Sequence, residues 1–102
     1  MPLWKYSEAL LNAVTANTVG TPFNVDGASG LKVYLKSASV STGADIVVYE
    51  KSPEGDWHEV HRESVSTNGN QDPIYLPGPF DDVRIDVENH TDGTYTASAQ
   101  AL

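Results

Sequence analysis

The sequence predicts an all-β fold, an antiparallel β-sandwich (jelly-roll or Ig-like) of seven to eight strands, and three observations carry that expectation. After Gly27 and Gly30, turn glycines fall at Gly43, Gly55, Gly69, Gly78 and Gly93, at intervals of 13, 12, 14, 9 and 15 residues counted from Gly30. Short strands punctuated at about that spacing mark sandwiches and barrels. Between the turns, apolar and polar residues alternate with the period of two that sends successive side chains to opposite faces of a strand. The connections are also too short for the crossovers that parallel strands need, so neighbours pair antiparallel.

Residues 1–8, with Pro2, Trp4, Lys5 and Tyr6, precede the regular pattern and read as an N-terminal arm, leaving residues 9–102 as a single sandwich domain. The next stretch fits two periods. Leu3, Leu10, Leu11 and Val14 suit a helical face, whereas Leu11, Ala13 and Thr15 suit a strand, and the β-branched Thr15, Thr18 and Val19 favour the strand. Phe23 and Val25 alternate with Asn24 and lead to a turn at Asp26 and Gly27, after which a tight reversal is expected. Leu31, Val33 and Leu35 then alternate with Lys32, Tyr34 and Lys36 to give one inward and one outward face.

A polar loop from Ser37 to Gly43 leads to Ile46, Val47, Val48 and Tyr49, a continuous apolar run suited to a central strand. Pro53, Glu54, Gly55 and Asp56 make a hairpin turn, proline fixing φ early and glycine accepting a positive φ. Trp57 opens a mostly polar strand whose charges suit an edge. Beyond the Asn68-Gly69-Asn70 turn, Ile74 and Leu76 form a short strand bracketed by Pro73, Pro77 and Pro79. Proline donates no ladder hydrogen bond, which confines that strand to an edge or rim. Phe80, Val83, Ile85 and Val87 point inward while Arg84, Asp86 and Glu88 point outward. After a turn at His90 to Gly93, the last strand sets Tyr95, Ala97, Ala99 and Ala101 against Thr94, Thr96, Ser98 and Gln100. Two sheets packed face to face are expected, with Leu31, Val33, Leu35, Ile46, Val48, Trp57, Val83, Ile85 and Val87 supplying much of the core.

Composition narrows the function classes. A chain of 102 residues with 14 acidic and 6 basic side chains carries a net charge of -8, which repels phosphate backbones and argues against a nucleic-acid partner. With no cysteine, disulfides, zinc thiolate sites and cysteine nucleophiles are excluded. No apolar run approaches the roughly 20 residues of a membrane span, so no membrane partner is expected. Residues 1–12 lack the basic start and apolar stretch of a signal peptide, which points to release into the cytosol where the chain is made.

No catalytic, cofactor-binding or metal-binding residues are expected. His58 and His61, three apart on a strand, would point to opposite faces unless the strand bulges, whereas metal ligands must converge on one ion. His90, in a turn, is an ordinary polar residue. Asp81 and Asp82, with Asp72 near them, offer oxygen ligands but lack the 12-residue calcium-loop spacing. Nucleophile-elbow, Walker-loop, dinucleotide and metalloprotease signatures are missing from the sequence. Trp4, Tyr34, Tyr49, Trp57, Tyr75 and Tyr95 could stack on sugar rings if two shared an open face, although Trp57 reads as a cap on the core.

The segments Gly20-Thr21-Pro22-Phe23-Asn24-Val25-Asp26-Gly27, Glu54-Gly55-Asp56-Trp57, Phe80-Asp81-Asp82-Val83-Arg84-Ile85-Asp86-Val87 and Gly93-Thr94-Tyr95-Thr96 follow one another in a familiar order. In that order the chain resembles small β-sandwich accessory virion proteins of tailed bacteriophages, of the capsid-decoration or head-tail type. The resemblance implies a non-enzymatic structural role in the virion, in a homo-oligomer bound to a major capsid or tail protein. Trp4 and Tyr6 in the arm, and Tyr75 and Pro77 on the rim, are the expected partner-binding residues. Each large side chain that the arm buries on a neighbour would gain roughly 1.5 to 3 kcal/mol. The alternative is a carbohydrate-binding or host-adhesion module, on a phage tail or head fibre or free, which a solvent-exposed tryptophan platform would favour.

Overall fold

Two strands far longer than the rest organise the chain. The computed structural model describes residues 6–102, and side chains from Leu10 onward. Its strands are β1 (Tyr6–Val14), β2 (Phe23–Ala38), β3 (Ala44–Lys51), β4 (Trp57–Val65), β5 (Gly69–Asn70), β6 (Ile74–Glu88) and β7 (Thr94–Ala101). They hydrogen-bond in the order β1-β7-β2-β6-β3-β4, with β5 on β2, and every pairing is antiparallel. The all-β antiparallel architecture is therefore as expected.

One hydrogen-bonded sheet doubles over to make both layers. The second half of β2 pairs β7 from Leu31↔Ala101 to Ala38↔Thr94, while its first half pairs the middle of β6 at Phe23↔Val83 and Asn24↔Asp82. The last third of β6 pairs β3 from Val83↔Glu50 to Glu88↔Asp45. The first layer thus holds β1, β7, β5, the end of β2 and the start of β6, and the second holds β4, β3, the end of β6 and the start of β2. Between them lie Leu11, Leu31, Val33, Leu35, Tyr95, Ala97, Ala99 and Ala101 from the first layer and Val25, Ile46, Val48, Val65, Val83, Ile85 and Val87 from the second, all buried.

The reversal expected at Gly27 does not occur. Asp26 and Gly27 adopt φ of 51° and 68°, but β2 continues through them as one strand, and the register with β6 slips between Asn24 and Ala28 and again between Ala28 and Gly30. A bulge demands the same left-handed backbone as a tight turn, so the Asp-Gly pair satisfies either. Asn24 Oδ1 accepts the Asp26 N–H at 3.0 Å and holds the kink. Across the ladder, the proline-bracketed segment is likewise part of a long strand, not a short one. There a Cβ on Gly78 would stand 2.5 Å from the Ala28 carbonyl oxygen, and the Gly78-Pro79 bond is cis. Among the described residues, 74–80 have a strand partner on the β2 side alone, which fits the expected edge position for the prolines.

Two further differences concern β4 and β1. Val48 pairs His61 while Tyr49 pairs Glu59, so Val60 is an extra residue and the inward and outward faces of β4 exchange across it. Trp57, expected in the core, pairs Lys51 and lies on the outer face. The ambiguous N-terminal stretch is a strand that pairs β7 at Ser7↔Ala99, Leu11↔Ala97 and Val14↔Tyr95, with a shift of register between each of these pairs.

The loop before β3 is pinned by side chains of distant segments. One Asp92 oxygen accepts from the Ser41 and Gly43 N–H groups at 3.0 and 2.9 Å, the other from Thr42 at 3.0 Å, and Asn68 Oδ1 accepts from Val40 at 2.7 Å. Gly43 has φ 117°, and a Cβ there would stand 1.9 Å from the Val65 carbonyl oxygen. Gly43→Ala should therefore cost about 3 kcal/mol, lowering the melting temperature by more than about 10 °C in a circular-dichroism melt. Gly69→Ala is the control, because Gly69 has a φ of 96° but nothing within 4 Å of the added carbon, and it should cost only about 1 kcal/mol. Equal losses would mean that strain, not the clash, governs the loop.

Candidate functional site

The doubled sheet presents two outer faces of different chemistry. On the second layer, outward positions of three neighbouring strands converge: Asp45, Val47 and Tyr49 on β3, Trp57, Glu59, Arg62 and Ser64 on β4, and Arg84, Asp86 and Glu88 on β6. The Arg84 guanidinium lies 4.7 Å from the ring centres of both Tyr49 and Trp57. Its Nε donates to both oxygens of the buried Asp86 at 3.1 and 3.2 Å, and Asp86 Oδ1 also accepts from the Gly20 N–H at 2.9 Å. Planarity lets one guanidinium stack and bond a carboxylate together, which an ammonium cannot do.

Arg62 gathers the remaining carboxylates, donating to Asp45 at 2.9 Å, Glu59 at 2.9 Å and Glu88 at 2.8 Å. The Tyr49 hydroxyl donates to Glu88. That bond pushes the Tyr49 phenol up to about 12 and, with Arg62, holds the Glu88 carboxyl below its ordinary value. Asp45 is held low by hydrogen bonds from Asn89 and Ser64 and then by Arg62. Val47, fully buried beneath this network, stands outside the main core. These side chains bond one another across the three strands, and Asp86 and Glu88 also line a cleft of about 380 Å³ with Asn17, Thr18 and Val19.

The outer face of the first layer is open. Lys32, Tyr34 and Lys36 project from β2 beside Thr96, Ser98 and Gln100 of β7, and Tyr75 of β6 stands opposite Lys32. The Lys32 ammonium sits 5.2 Å from the Tyr34 ring centre and 5.0 Å from that of Tyr75. Tyr34 and Tyr75 are nevertheless 37% and 62% exposed, unusual for aromatic rings. A groove of about 490 Å³ runs beside Tyr34, floored by β2 and β7 and walled by Asn70, Gln71 and Pro73. Gln71 is fixed there by its N–H bond to the Leu35 carbonyl at 2.9 Å and by its side-chain amide bond to the Thr67 carbonyl at 3.1 Å.

Of the expected partner-binding residues, Trp4 lies outside the described residues, and Tyr6 is placed by its backbone alone, opposite Gln100. Tyr75 and Pro77 both lie exposed on the first half of β6, at Lys32 and Gly30 of β2. The bulge at Val60 overturns the expectation for the histidines: His58 pairs Glu50 and His61 pairs Val48, so both belong to the inward-facing register. His61 Nε2 meets Glu63 Oε1 at 3.0 Å. Among the described residues no three histidine or carboxylate side chains form a metal-holding group, and Asp82 is taken up by the Asn24 amide at 2.9 Å. Asn70 and Gln71 carried no signal in the sequence beyond that of a turn. Only the pairing of β5 with Lys36 and Ser37 brings them to the groove.

Fold and faces together define an antiparallel β-sandwich with one internally satisfied outer face and one open, aromatic-cationic one. The chain is similar to a solved structure, the crystal structure of SPBc2 prophage-derived protein YomS, with a TM-score of 0.70 and 15% sequence identity over 99% of this chain and 96% of that one. At that identity the likeness establishes the fold. A scan against protein-family models finds no match, and neither does a search of curated proteins.

Two expected outcomes follow from the network of the second layer. Arg84→Ala removes the cation from a buried carboxylate and should cost about 3 kcal/mol in urea denaturation, with Arg84→Lys restoring little of it. A loss under about 1 kcal/mol would show the pair to be an ordinary surface bridge. Because the folded-state value of Tyr49 is raised, its contribution is complete below its ordinary pH of 10 and fades as pH rises through about 12. Burial also raises the Tyr95 phenol, so tyrosinate absorbance should show late-titrating phenols whose number falls by one in Tyr49→Phe.

Proposed function

We propose that this chain is a non-enzymatic structural protein of a tailed-bacteriophage virion, a capsid-decorating accessory protein that binds copies of itself and a major capsid or tail protein. The observation that carries the proposal is the likeness to a prophage-derived protein along 99% of the chain. It agrees with the order of segments that makes the sequence itself resemble small accessory virion proteins. A net charge of -8 suits a protein displayed in many copies, since like charge keeps crowded surfaces from aggregating. Loops pinned by Asp92, Asn68 and Gln71 suit a rigid block laid on a lattice.

In this reading the protein is made in the host cytoplasm and built into the particle, where Trp4, Tyr6 and Pro77 contact neighbouring subunits. The described part of β1 starts at Tyr6, so a deletion of residues 1–5 leaves all described strand residues in place. Particles banded on a density gradient from the phage that encodes the chain should contain it in fixed ratio to the major capsid or tail protein, as read by quantitative peptide mapping. Deleting residues 1–5 should lower that ratio. Particles that band without the intact chain would overturn the structural role, and an unchanged ratio after the deletion would overturn the role of Trp4.

A further inference from the structure

We propose that the open outer face of the first layer is a binding site for an acidic polysaccharide, with Tyr34 and Tyr75 as stacking surfaces and Lys32 and Lys36 as carboxylate partners. The proposal goes beyond the structural role and stands on its own observations. Two of the exposed large apolar side chains are tyrosines on this one face, flanking one lysine. A pyranose ring offers its C–H face to such a ring, while its hydroxyls need donors and acceptors arranged around it. The groove supplies them, because it is lined by the amides of Asn70 and Gln71 and the hydroxyls of Thr96 and Ser98.

Charge selects the class of sugar. In a chain with 14 acidic residues, the charged side chains that β2 projects on this face, Lys32 and Lys36, are both positive. Four residues apart on a strand, their α-carbons stand about 13 Å apart with Tyr34 between them, which suits a polymer bearing repeated carboxylates. The tyrosine hydroxyls beside Lys32 hold its ammonium above the ordinary lysine value, so it stays charged. A nucleic acid is a poorer fit, because its affinity comes from neutralising many closely spaced phosphates, whereas β2 offers two cations here, about 13 Å apart with a ring between them.

The test is isothermal titration of the intact protein with polygalacturonate and alginate, using dextran as the neutral polymer and oligo-dT as the phosphate polymer. Both acidic polysaccharides should bind, dextran and oligo-dT should not, and Tyr34→Ala and Lys36→Ala should each weaken binding about tenfold. Both residues are exposed, so melting temperatures should stay unchanged. Lys51→Ala, on the other layer, should bind as the unaltered protein does. Failure of both acidic polysaccharides to bind, equal binding of dextran, tighter binding of oligo-dT, or binding indifferent to Tyr34 and Lys36 would each overturn the proposal.

Discussion

The ladder between β2 and β6 is the constraint on which the rest of the structure depends. Each strand is about twice the length of its neighbours, and each takes part in both layers, so the sheet has no seam between its halves. A sheet can double over in this way only where its strands bend. Here β2 places Ala28 and Gly30 opposite Phe80 and Pro77 of β6, just after the positive-φ pair Asp26 and Gly27, with two slips of register in a few residues. Backbone approaches there leave no room for side chains, as the Gly78 position against Ala28 and Ser29 shows. The bend decides which side chains lie between the layers and which form the outer faces.

Legibility in the sequence followed the same division. Where one face of a strand is buried, a slip by one residue would expose every apolar side chain, so alternation is strict and can be read directly. Leu31, Val33 and Leu35, then Val83, Ile85 and Val87, then Tyr95 to Ala101 are of this kind, and all are buried as expected. Misreadings cluster where the backbone, not the side chains, carries the information. Asp26-Gly27 specifies a positive φ without saying whether the chain reverses. Val60 inserts one residue into β4, and a single insertion is enough to put Trp57 on the outer face and the exposed His58 in register with His61. No pattern of residue types reveals that insertion, because Val60 packs on the core as a strand residue would.

The candidate surface was legible in part for the same reason. Tyr34 and Tyr75 stand at positions that alternation marks as outward, so their place in a possible aromatic platform could be read from the sequence. Their convergence on Lys32 could not, because it depends on the register of β2 with β6, thirty or more residues away in the chain. Trp57, read from the sequence as a cap on the core, instead stacks its ring on Arg84 on the outer face of the second layer.

Arginine and lysine are divided between the faces in a way that their chemistry explains. Arg62 and Arg84 sit among carboxylates on the second layer, where a planar fork can bond two or three acceptors and stack at once. Lys32 and Lys36 stand on the first layer beside hydroxyl, amide and aromatic groups, Lys32 held by Tyr34 and Tyr75 and Lys36 exposed. One face thereby spends its charge on holding the strands together, and every buried side-chain polar atom among the described residues has a partner. The other keeps its cations and its rings available, and its rigidity comes at no cost to that availability, because β2 is held from both edges by β7 and β6. A protein that works by presenting a fixed surface needs this separation, since groups already satisfied within the fold have little to offer a partner.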